Sequence, residues 1–247
     1  MSDNSAPKVS IIIPALNEEK LLEQALEQFT PERRKRYGLE VVVSDGGSTD
    51  ATLAIARRHD CVLVENSDGA KQTISLGRNV GARHASGDLL IFLNADTRIR
   101  DCEYFFQRMI ELGSRKDIVA VTCSVGVYPE EEKLSDKLFH GFYNWLFALM
   151  NTVHMGMGRG ECHVVRKEVF ETVRGYAEKI AAGEDYDFFR RLTDSGRIVF
   201  LKDVVVFESP RRYRKYGYLY VSGSWFLNFL SVFFLRRSIL DEWKPVR

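Results

Sequence analysis

Short runs of β-branched and aliphatic residues alternate with helical stretches through the first part of the chain, and this alternation restricts the folds open to it. Each apolar run is long enough for a buried strand, and polar residues follow it before the next helix begins. Such an alternation predicts an α/β fold in which helices flank a parallel or mixed sheet. The predicted strands are residues 9–13, 40–44, 61–65 and 88–93, and the predicted helices are residues 18–29, 49–58 and 71–86.

The rest of the chain continues this pattern without an internal repeat or a low-complexity linker. We therefore expect one large domain over residues 8–215, preceded by a polar tail at 1–7 and followed by a hydrophobic helical segment at 216–247. The predicted strands of this part are 118–127, 161–165, 197–201 and 204–207, and the predicted helices are 134–155 and 184–195.

The charge balance of the chain argues against recognition of nucleic acid. Its 35 lysines and arginines nearly cancel its 34 aspartates and glutamates, which leaves a net charge of +1 and no strong overall field. The four cysteines are widely separated and lack metal-ligand spacing, as is typical of a reducing compartment. The N-terminal residues also lack the apolar core of a secretory signal, so we expect a cytoplasmic protein.

Polar loops follow several of the predicted strands, at the edge where parallel sheets bind their ligands. Residues 14–18 follow the first strand, and the glycine-bearing loop 45–50 follows the second. A carboxylate at Asp45 can accept hydrogen bonds from ribose hydroxyls or a base N–H, although the same loop also suits a simple tight turn. Asp96 ends the fourth strand and can either bind a divalent cation or cap a helix.

Several motifs, in the same order and spacing, resemble the family 2 glycosyltransferases of the GT-A fold. The motifs are Val-Ser-Ile-Ile-Ile-Pro-Ala-Leu-Asn-Glu-Glu (9–19), Asp-Gly-Gly-Ser-Thr-Asp (45–50), Gly-Arg-Asn-Val-Gly-Ala-Arg-His-Ala-Ser-Gly-Asp (77–88), Phe-Leu-Asn-Ala-Asp-Thr (92–97) and Gly-Glu-Asp-Tyr-Asp-Phe (183–188). The resemblance covers residues 8–215. It implies a Rossmann-like mixed sheet and an enzyme that transfers a sugar, with inversion, from a nucleotide-diphosphate sugar to an acceptor hydroxyl.

The resemblance also implies which residues hold the donor. The nucleoside would lie between the loops that follow the first two strands, and positive charge would face the donor phosphates or the base. Gly46 departs from the pattern, because many relatives carry a second aspartate there. The residues implied for the donor are Pro14, Asn17, Glu18, Asp45, Lys71, Arg78 and Asn94.

Asp96 resembles the last carboxylate of the family's Asp-x-Asp metal motif, which implies Mg²⁺ or Mn²⁺ as the cofactor. Asn94 replaces the first aspartate of that motif. An amide oxygen is a poorer ligand than a carboxylate for a hard cation. Asp96 would therefore hold the metal together with oxygens of the donor pyrophosphate.

Glu184 and Asp185 resemble the family's Glu-Asp motif and open a predicted helix. The positive end of a helix tends to keep a carboxylate ionised and able to accept a proton. Inverting transfer needs such a base, because the acceptor hydroxyl loses its proton as it attacks the anomeric carbon. We assign Asp185 as the base and Glu184 as the reserve; the alternative is an acidic pair that only stabilises the helix start.

The basic run 211–215 lies where relatives often carry an arginine-bearing motif near the donor pyrophosphate. The resemblance implies Arg211 or Arg212 for this contact, although the family's common Gln-x-x-Arg-Trp form is absent from the sequence. The alternative is that this run meets lipid headgroups.

An uncharged, aromatic-rich segment at 217–235 is bounded by basic residues on both sides. Its glycine, serine and asparagine residues favour an interfacial or re-entrant helix over a membrane span, and the helix at 134–155 would join it against lipid. These features predict a peripheral protein at the inner face of the cell membrane, with a lipid-linked or cell-envelope glycan as acceptor. Burial in the core or in a homodimer interface is the alternative.

Two other functions stay open at the level of sequence. Asn94 and Gly46 are compatible with a non-catalytic relative that binds a nucleotide or a glycan. A nucleotidyltransferase that makes the donor would share the α/β nucleotide-binding half. It is the weakest alternative, because no glycine-rich basic loop follows the first strand to cradle a triphosphate.

Overall fold

The computed structural model describes residues 8–66, 72–235, 237–238 and 246 of the chain. The strands in these residues form one mixed sheet in the order β3-β2-β1-β4-β7-β6-β8-β5. The α/β class and the mixed sheet expected from the sequence are thereby confirmed. The strands are β1 Val9–Ala15, β2 Leu39–Asp45, β3 Val62–Glu65, β4 Leu89–Leu93, β5 Arg98–Ile99, β6 Ile118–Val127, β7 Cys162–Arg166 and β8 Arg197–Glu208.

The first four strands of the chain are parallel and form one half of the sheet. β1 lies at the centre of this half, with Val9 opposite Leu39 of β2 on one side and Leu89 of β4 on the other. β3 extends this half beyond β2. Because the strands run in one direction, the loops that follow β1, β2 and β4 meet at the same edge of the sheet.

The other half of the sheet contains both strand directions. β7 runs antiparallel between β4 and β6, and β8 runs parallel to β6. The prediction of two short strands at 197–201 and 204–207 is wrong, because they form the single strand β8. The pairing register of β8 against β6 shifts between Leu201 and Val205, so the polar residues there mark an irregularity within β8 rather than the end of a strand.

Helices connect these strands and cover both faces of the sheet. The sequence pattern missed the helices α2 (31–37), α5 (102–113), α7 (167–172) and α9 (211–216). The first two are marked chiefly by their caps, because Thr30 and Asp101 accept hydrogen bonds from the first turns of these helices. The helices in the described residues are α1 Leu22–Glu27, α2 Pro31–Tyr37, α3 Thr52–Arg58, α4 Ile74–His84, α5 Cys102–Gly113, α6 Leu134–Thr152, α7 Lys167–Thr172, α8 Glu184–Thr193, α9 Arg211–Tyr216 and α10 Tyr218–Leu235.

Two helices begin later than the patterns at 18–29 and 49–58 predict, because the first residues of these patterns bind other loop groups. The backbone N–H of Asn17 donates to Ser48 Oγ at 2.8 Å, and Asn17 Oδ1 accepts from the backbone N–H of Thr49 at 2.7 Å. These contacts hold both segments as loops. α1 and α3 therefore begin only after them, and neither Ser48 nor Thr49 caps α3.

Alternate residues of the strands face opposite cores. Ile11 and Ile13 of β1 pack with α1, α3 and α5, whereas Ile12 packs on the face that α4, α7 and α8 cover. α4 approaches β1 closely at Gly81, where a Cβ atom would lie 2.5 Å from Ile12 Cγ2. Glycine is therefore needed at this position for the helix to reach the sheet.

α10 lies against α6 and α8 through aromatic contacts. The Trp225 ring of α10 lies 5.1 Å from Tyr143 of α6, and Phe229 of α10 lies 5.7 Å from Tyr186 of α8, measured between ring centroids. Within the described part of the chain, α10 is the one helix long and apolar enough to cross a membrane. The division of the chain at residue 215 stays a prediction, and the tail at 1–7 lies outside the described residues.

Candidate active site

A cleft of about 580 Å³ opens at the sheet edge where β1, β2 and β4 end. The loops after these strands form one side of the cleft, and residues 159–161 with the first turns of α8 and α9 form the other. α6 and α10 contribute Phe147 and Trp225. Lys71 lies outside the described residues. The predicted site residues that line the cleft are Pro14, Glu18, Arg78, Asn94, Asp96, Glu184, Asp185, Arg211 and Arg212.

Asp45 and Asn17, which were also predicted for the nucleoside, do not line the cleft but shape its loops. Asp45 Oδ2 accepts hydrogen bonds from the backbone N–H groups of Gly47 and Ser48 at 2.8 and 2.9 Å. Asn17 ties the loop after β1 to the loop after β2 through Thr49. No donor in the described residues reaches the buried Oδ1 of Asp45, so the carboxylate keeps an acceptor that these residues do not use.

Arg211, the first residue of α9, bridges carboxylates from two different loops. Its Nη1 and Nη2 atoms each lie 3.0 Å from one oxygen of Glu18, in the loop after β1. Its Nη2 atom also lies 3.3 Å from Asp96 Oδ2, in the loop after β4. This paired geometry, in which one guanidinium meets a whole carboxylate, is among the stronger charged contacts in proteins.

Asp96 is a carboxylate in a crowded acidic setting. Burial raises its pKa to about 6, while the Arg211 guanidinium acts in the opposite direction. The carboxylates of Glu18 and Glu161 raise the pKa of Asp96 further. A neighbouring cation such as Arg211 therefore favours the ionised form of this carboxylate.

The residues at Asp96 fit a divalent cation that takes few ligands from the protein. The Arg211 guanidinium lies beside Asp96 Oδ2, so a divalent cation bound there would have to share this carboxylate with it. Asn94 Oδ1 instead accepts from Arg78 Nη2 at 3.2 Å. No group of three or more histidine, cysteine or acidic side chains in the described residues is arranged to hold a metal. Mg²⁺ commonly binds through one carboxylate plus substrate phosphates and water, and this single-carboxylate site suits that mode.

Arg78 is fully buried and binds three parts of the site at once. Its Nη1 donates to Glu184 Oε1 at 2.8 Å. Its Nη2 donates to the backbone carbonyl of Gly160 at 2.7 Å and to Asn94 Oδ1. The Arg78 guanidinium is thus bound to protein oxygens, whereas the sequence implied that it would face the donor phosphates or the base.

Asp185 stands at the start of α8, two residues after Gly183, which has the positive φ of 81°. Burial raises the pKa of Asp185 well above its usual range, and the neighbouring Glu184 carboxylate raises it further. The expectation that the helix start keeps Asp185 readily ionised is therefore wrong. A helix end stabilises a charge only modestly, and the loss of water around the carboxylate outweighs it.

Sequence reasoning missed a buried charged cluster on the same side of the cleft. Arg159 is only 2% exposed and contacts Glu208 Oε1 at 3.0 Å and Glu161 Oε2 at 3.4 Å. The Tyr213 hydroxyl donates to the same Glu208 oxygen at 2.7 Å. The available signal was the position of Glu208 at the end of β8, since acidic residues at strand ends had already pointed to Asp45 and Asp96.

Residues 10–174 match the sequence model described as Glycosyl transferase family 2. The chain belongs to this family. Among curated relatives, Glycosyltransferase AglE of Haloferax volcanii is 26% identical over 218 residues, which cover 82% of this chain and 67% of that protein. Succinoglycan biosynthesis protein ExoA of Rhizobium meliloti is 28% identical over 202 residues, which cover 78% of this chain and 60% of that protein.

Two solved structures share the fold. Mannosyltransferase PcManGT from Pyrobaculum calidifontis, in complex with GDP-Man and Mn²⁺, has a TM-score of 0.66 and 24% identity, over 83% of this chain and 58% of that one. Glucosyl-3-phosphoglycerate synthase from Mycobacterium tuberculosis, in complex with Mn²⁺, UDP and phosphoglyceric acid, has a TM-score of 0.63 and 16% identity, over 93% of this chain and 78% of that one. The fold implied by the sequence motifs is thereby confirmed. The chain spans about three fifths of ExoA and of the mannosyltransferase.

Proposed function

We propose that the chain is an inverting glycosyltransferase that moves a sugar from a nucleoside-diphosphate sugar to an acceptor hydroxyl. The observation that carries the proposal is the convergence of the loops after β1 and β4 with Asp185 around one cleft. The nucleotides and nucleotide sugars bound to structural relatives support the choice of donor. This convergence favours catalysis over the binding-only alternative, because a binding module has no need of a buried base beside the donor.

Asp185 is the base in the proposed reaction. The acceptor oxygen forms a bond to the anomeric carbon from the face opposite the nucleoside diphosphate, whose bond to that carbon breaks. The proton of the acceptor hydroxyl passes to the Asp185 carboxylate. Because the pKa of Asp185 is raised, its ionised form is a stronger base than an exposed aspartate, provided that the pH is high enough to ionise it.

Arg78 and Glu184 position the groups around this base. Arg78 links Glu184 to Asn94 and to the backbone of Gly160, so it joins the base side of the cleft to the donor side. A divalent metal held by Asp96 would neutralise the charge of the departing diphosphate. Pro14 and Glu18 border the nucleoside, Asp45 and Asn17 fix the loops around it, and Arg212 lies at the diphosphate.

The acceptor is proposed to be a lipid-linked or cell-envelope glycan, reached from a membrane surface. α6 and α10 line the cleft on one side and carry a large number of exposed apolar side chains elsewhere. An exposed apolar area of this kind marks an interaction surface. The exposed residues are Leu134, Leu138, Phe142, Trp145 and Leu149 of α6, and Leu219, Tyr220, Phe226, Leu227, Phe233, Phe234 and Leu235 of α10.

A lipid surface is the proposed occupant of this apolar area. The α6 residues recur at helical spacing, so they form one stripe along the helix, as in helices that lie in a membrane interface. Lys215 is exposed at the end of α9, just before α10, where it can meet anionic headgroups. The name of the relative ExoA refers to the synthesis of a glycan, which supports a glycan as the acceptor.

The reaction is tested with Asp185→Asn and with Asp187→Asn as the matched control. Asp187 lies in the same first turn of α8 but pairs with Arg191, away from the cleft. Wild type is first screened with UDP-, GDP-, ADP-, CDP- and TDP-sugars in the presence of Mn²⁺ and a membrane lipid extract. With the donor so identified, Asp185→Asn should bind the nucleotide nearly as wild type does and lose transfer, whereas Asp187→Asn should retain it. Equal turnover by wild type and Asp185→Asn would contradict the assignment.

The membrane surface is tested by sedimentation with phosphatidylglycerol vesicles. Trp145→Asp should reduce the bound fraction, because it places a charge in the apolar stripe. Val62→Asp, which changes an exposed apolar residue on β3, should bind as wild type does. The lipid surface would be contradicted if the wild-type protein does not bind the vesicles and elutes as a dimer that Trp145→Asp separates into monomers. That result would support a second copy of the chain as the occupant.

A further inference from the structure

Arg211 occupies the position at Asp96 that the proposed metal must share. Its guanidinium lies 3.3 Å from Asp96 Oδ2 and also holds both oxygens of Glu18 at 3.0 Å. The side chains of Arg211 and Asp96 are only 24% and 14% exposed, so water screens their attraction weakly. This contact joins the loops after β1 and β4 across the donor side of the cleft.

A guanidinium and a divalent cation cannot both be close partners of this carboxylate without strong repulsion between them. A bound metal would lie nearer to the carboxylate oxygen than the guanidinium does, because metal–oxygen bonds are about 2.0–2.1 Å for Mg²⁺. The two positive charges would then face each other in a partly buried site, where their repulsion is large. Binding of one cation therefore weakens the hold of the other.

We propose that Arg211 is a resident counter-ion of Asp96 which a divalent cation displaces, so that Arg211 sets the affinity and the concentration range in which metal enters the site. The inference rests on the proposed role of Asp96 as the metal-holding residue. Arg211 offsets part of the negative charge of Asp96 and Glu18 before metal and donor arrive. Once displaced from Asp96, its guanidinium keeps the contact with Glu18 on the donor side of the cleft.

The displacement is a movement of one side chain rather than of α9 as a whole. Two further contacts anchor α9 independently of Arg211. The Tyr213 hydroxyl donates to Glu208 at 2.7 Å, and Arg214 Nη1 donates to the fully buried Asp136 at 2.9 Å. α9 and the α10 helix after it can therefore stay in place while the Arg211 side chain moves.

The experiment measures the binding of Mn²⁺ alone, by the loss of the free-ion electron paramagnetic resonance signal, without nucleotide or acceptor. Arg211→Gln should bind Mn²⁺ about tenfold more tightly than wild type, because the competing charge is gone. Lys202→Gln is the matched control: it removes one positive charge at an exposed position of β8, and it should bind Mn²⁺ as wild type does. Equal or weaker binding by Arg211→Gln would overturn the proposal.

Asp96→Asn separates failure of this inference from failure of the proposed function. If Asp96→Asn in the Arg211→Gln background abolishes the tightened binding, the metal lies at Asp96 and Arg211 competes with it. If the affinity is tightened but does not depend on Asp96, the metal assignment is wrong. If the affinity depends on Asp96 but Arg211→Gln leaves it unchanged, the metal assignment stands and the competition is refuted.

A second variant covers the case in which Arg211→Gln does not fold. Arg211→Lys keeps the positive charge but loses the fork that grips two carboxylates at once. It should bind Mn²⁺ about threefold more tightly than wild type, because a single flexible ammonium competes less well than the paired guanidinium. An affinity equal to that of wild type in a folded Arg211→Lys protein would overturn the proposal.

Discussion

Arg78→Met is expected to lower the free energy of unfolding by about 3–5 kcal/mol, because it leaves the Glu184 carboxylate buried without its partner. The Arg78 side chain is 0% exposed and that of Glu184 is 10% exposed, so water cannot replace the lost contact. The backbone carbonyl of Gly160 also loses its donor. Methionine keeps much of the aliphatic volume of arginine, so the loss reports on charge and hydrogen bonding rather than on a cavity.

The assay is urea unfolding followed by circular dichroism, with Arg83→Met as the matched control. Arg83 lies in the same helix, but its contact with Glu178 is 3.9 Å long and its side chain is 60% exposed, so its loss should cost less than about 1 kcal/mol. Arg78→Met combined with Glu184→Gln should recover part of the loss, because the uncompensated charge is gone. A cost below about 1 kcal/mol for Arg78→Met, or strict additivity in the double variant, would refute the reasoning.

Three further predictions concern packing and pH. Gly81→Ala should destabilise the fold by about 1–3 kcal/mol in urea unfolding, because its Cβ would lie 2.5 Å from Ile12 Cγ2; a change within error would show that α4 can shift without cost. Burial opposes ionisation of Asp136, yet hydrogen bonds from arginine and tyrosine hold its pKa at about 2 against an ordinary value of 3.8. The lowered pKa gives about 2 kcal/mol of stability, which is present above pH ~4 and is lost as the pH falls through about 2. Asp136→Asn should therefore lower the free energy of unfolding by this amount at neutral pH and by less in acid. A cost that does not depend on pH would contradict this linkage. The rate of sugar transfer should fall as the pH drops through a value above the usual aspartate pKa range, because Asp185 must be ionised. Glu184→Gln should move this fall in rate to lower pH, because it removes the neighbouring carboxylate charge. A fall at the same pH in the variant would argue against coupling between the two carboxylates.

The sequence was sufficient for the elements whose signal is local. The buried runs of β1, β2 and β4 and the long strand β6 lie where their apolar patterns predict them. Strand-end carboxylates were located in the same way, because a parallel sheet brings the ends of its strands together whatever the helices do. The motifs also identified most of the residues that line the cleft before any distance was known.

Contacts between distant segments account for the differences. α1 begins later than its sequence pattern predicts because Asn17 binds the loop at Ser48, and no local pattern encodes that contact. The raised pKa of Asp185 depends on burial under several elements, whereas the helix start is visible in the sequence. Arg159 and Glu208 came together only because β8 lies beside β6 in the folded sheet, so that the end of β8 reaches the segment before β7.

The sequence by itself determined the alternating elements and the identity of the polar residues at the strand ends, because hydrophobic period and loop chemistry are properties of neighbouring residues. The resemblance of its motifs, in order, also indicated the family. The tertiary structure decided which charges pair. It brought Arg78 into contact with Glu184 and Asn94, and Arg211 into contact with Glu18 and Asp96. Charge pairing depends on distances between side chains far apart in the chain and on the water that folding excludes around them, and neither is fixed until the sheet and its helices are packed.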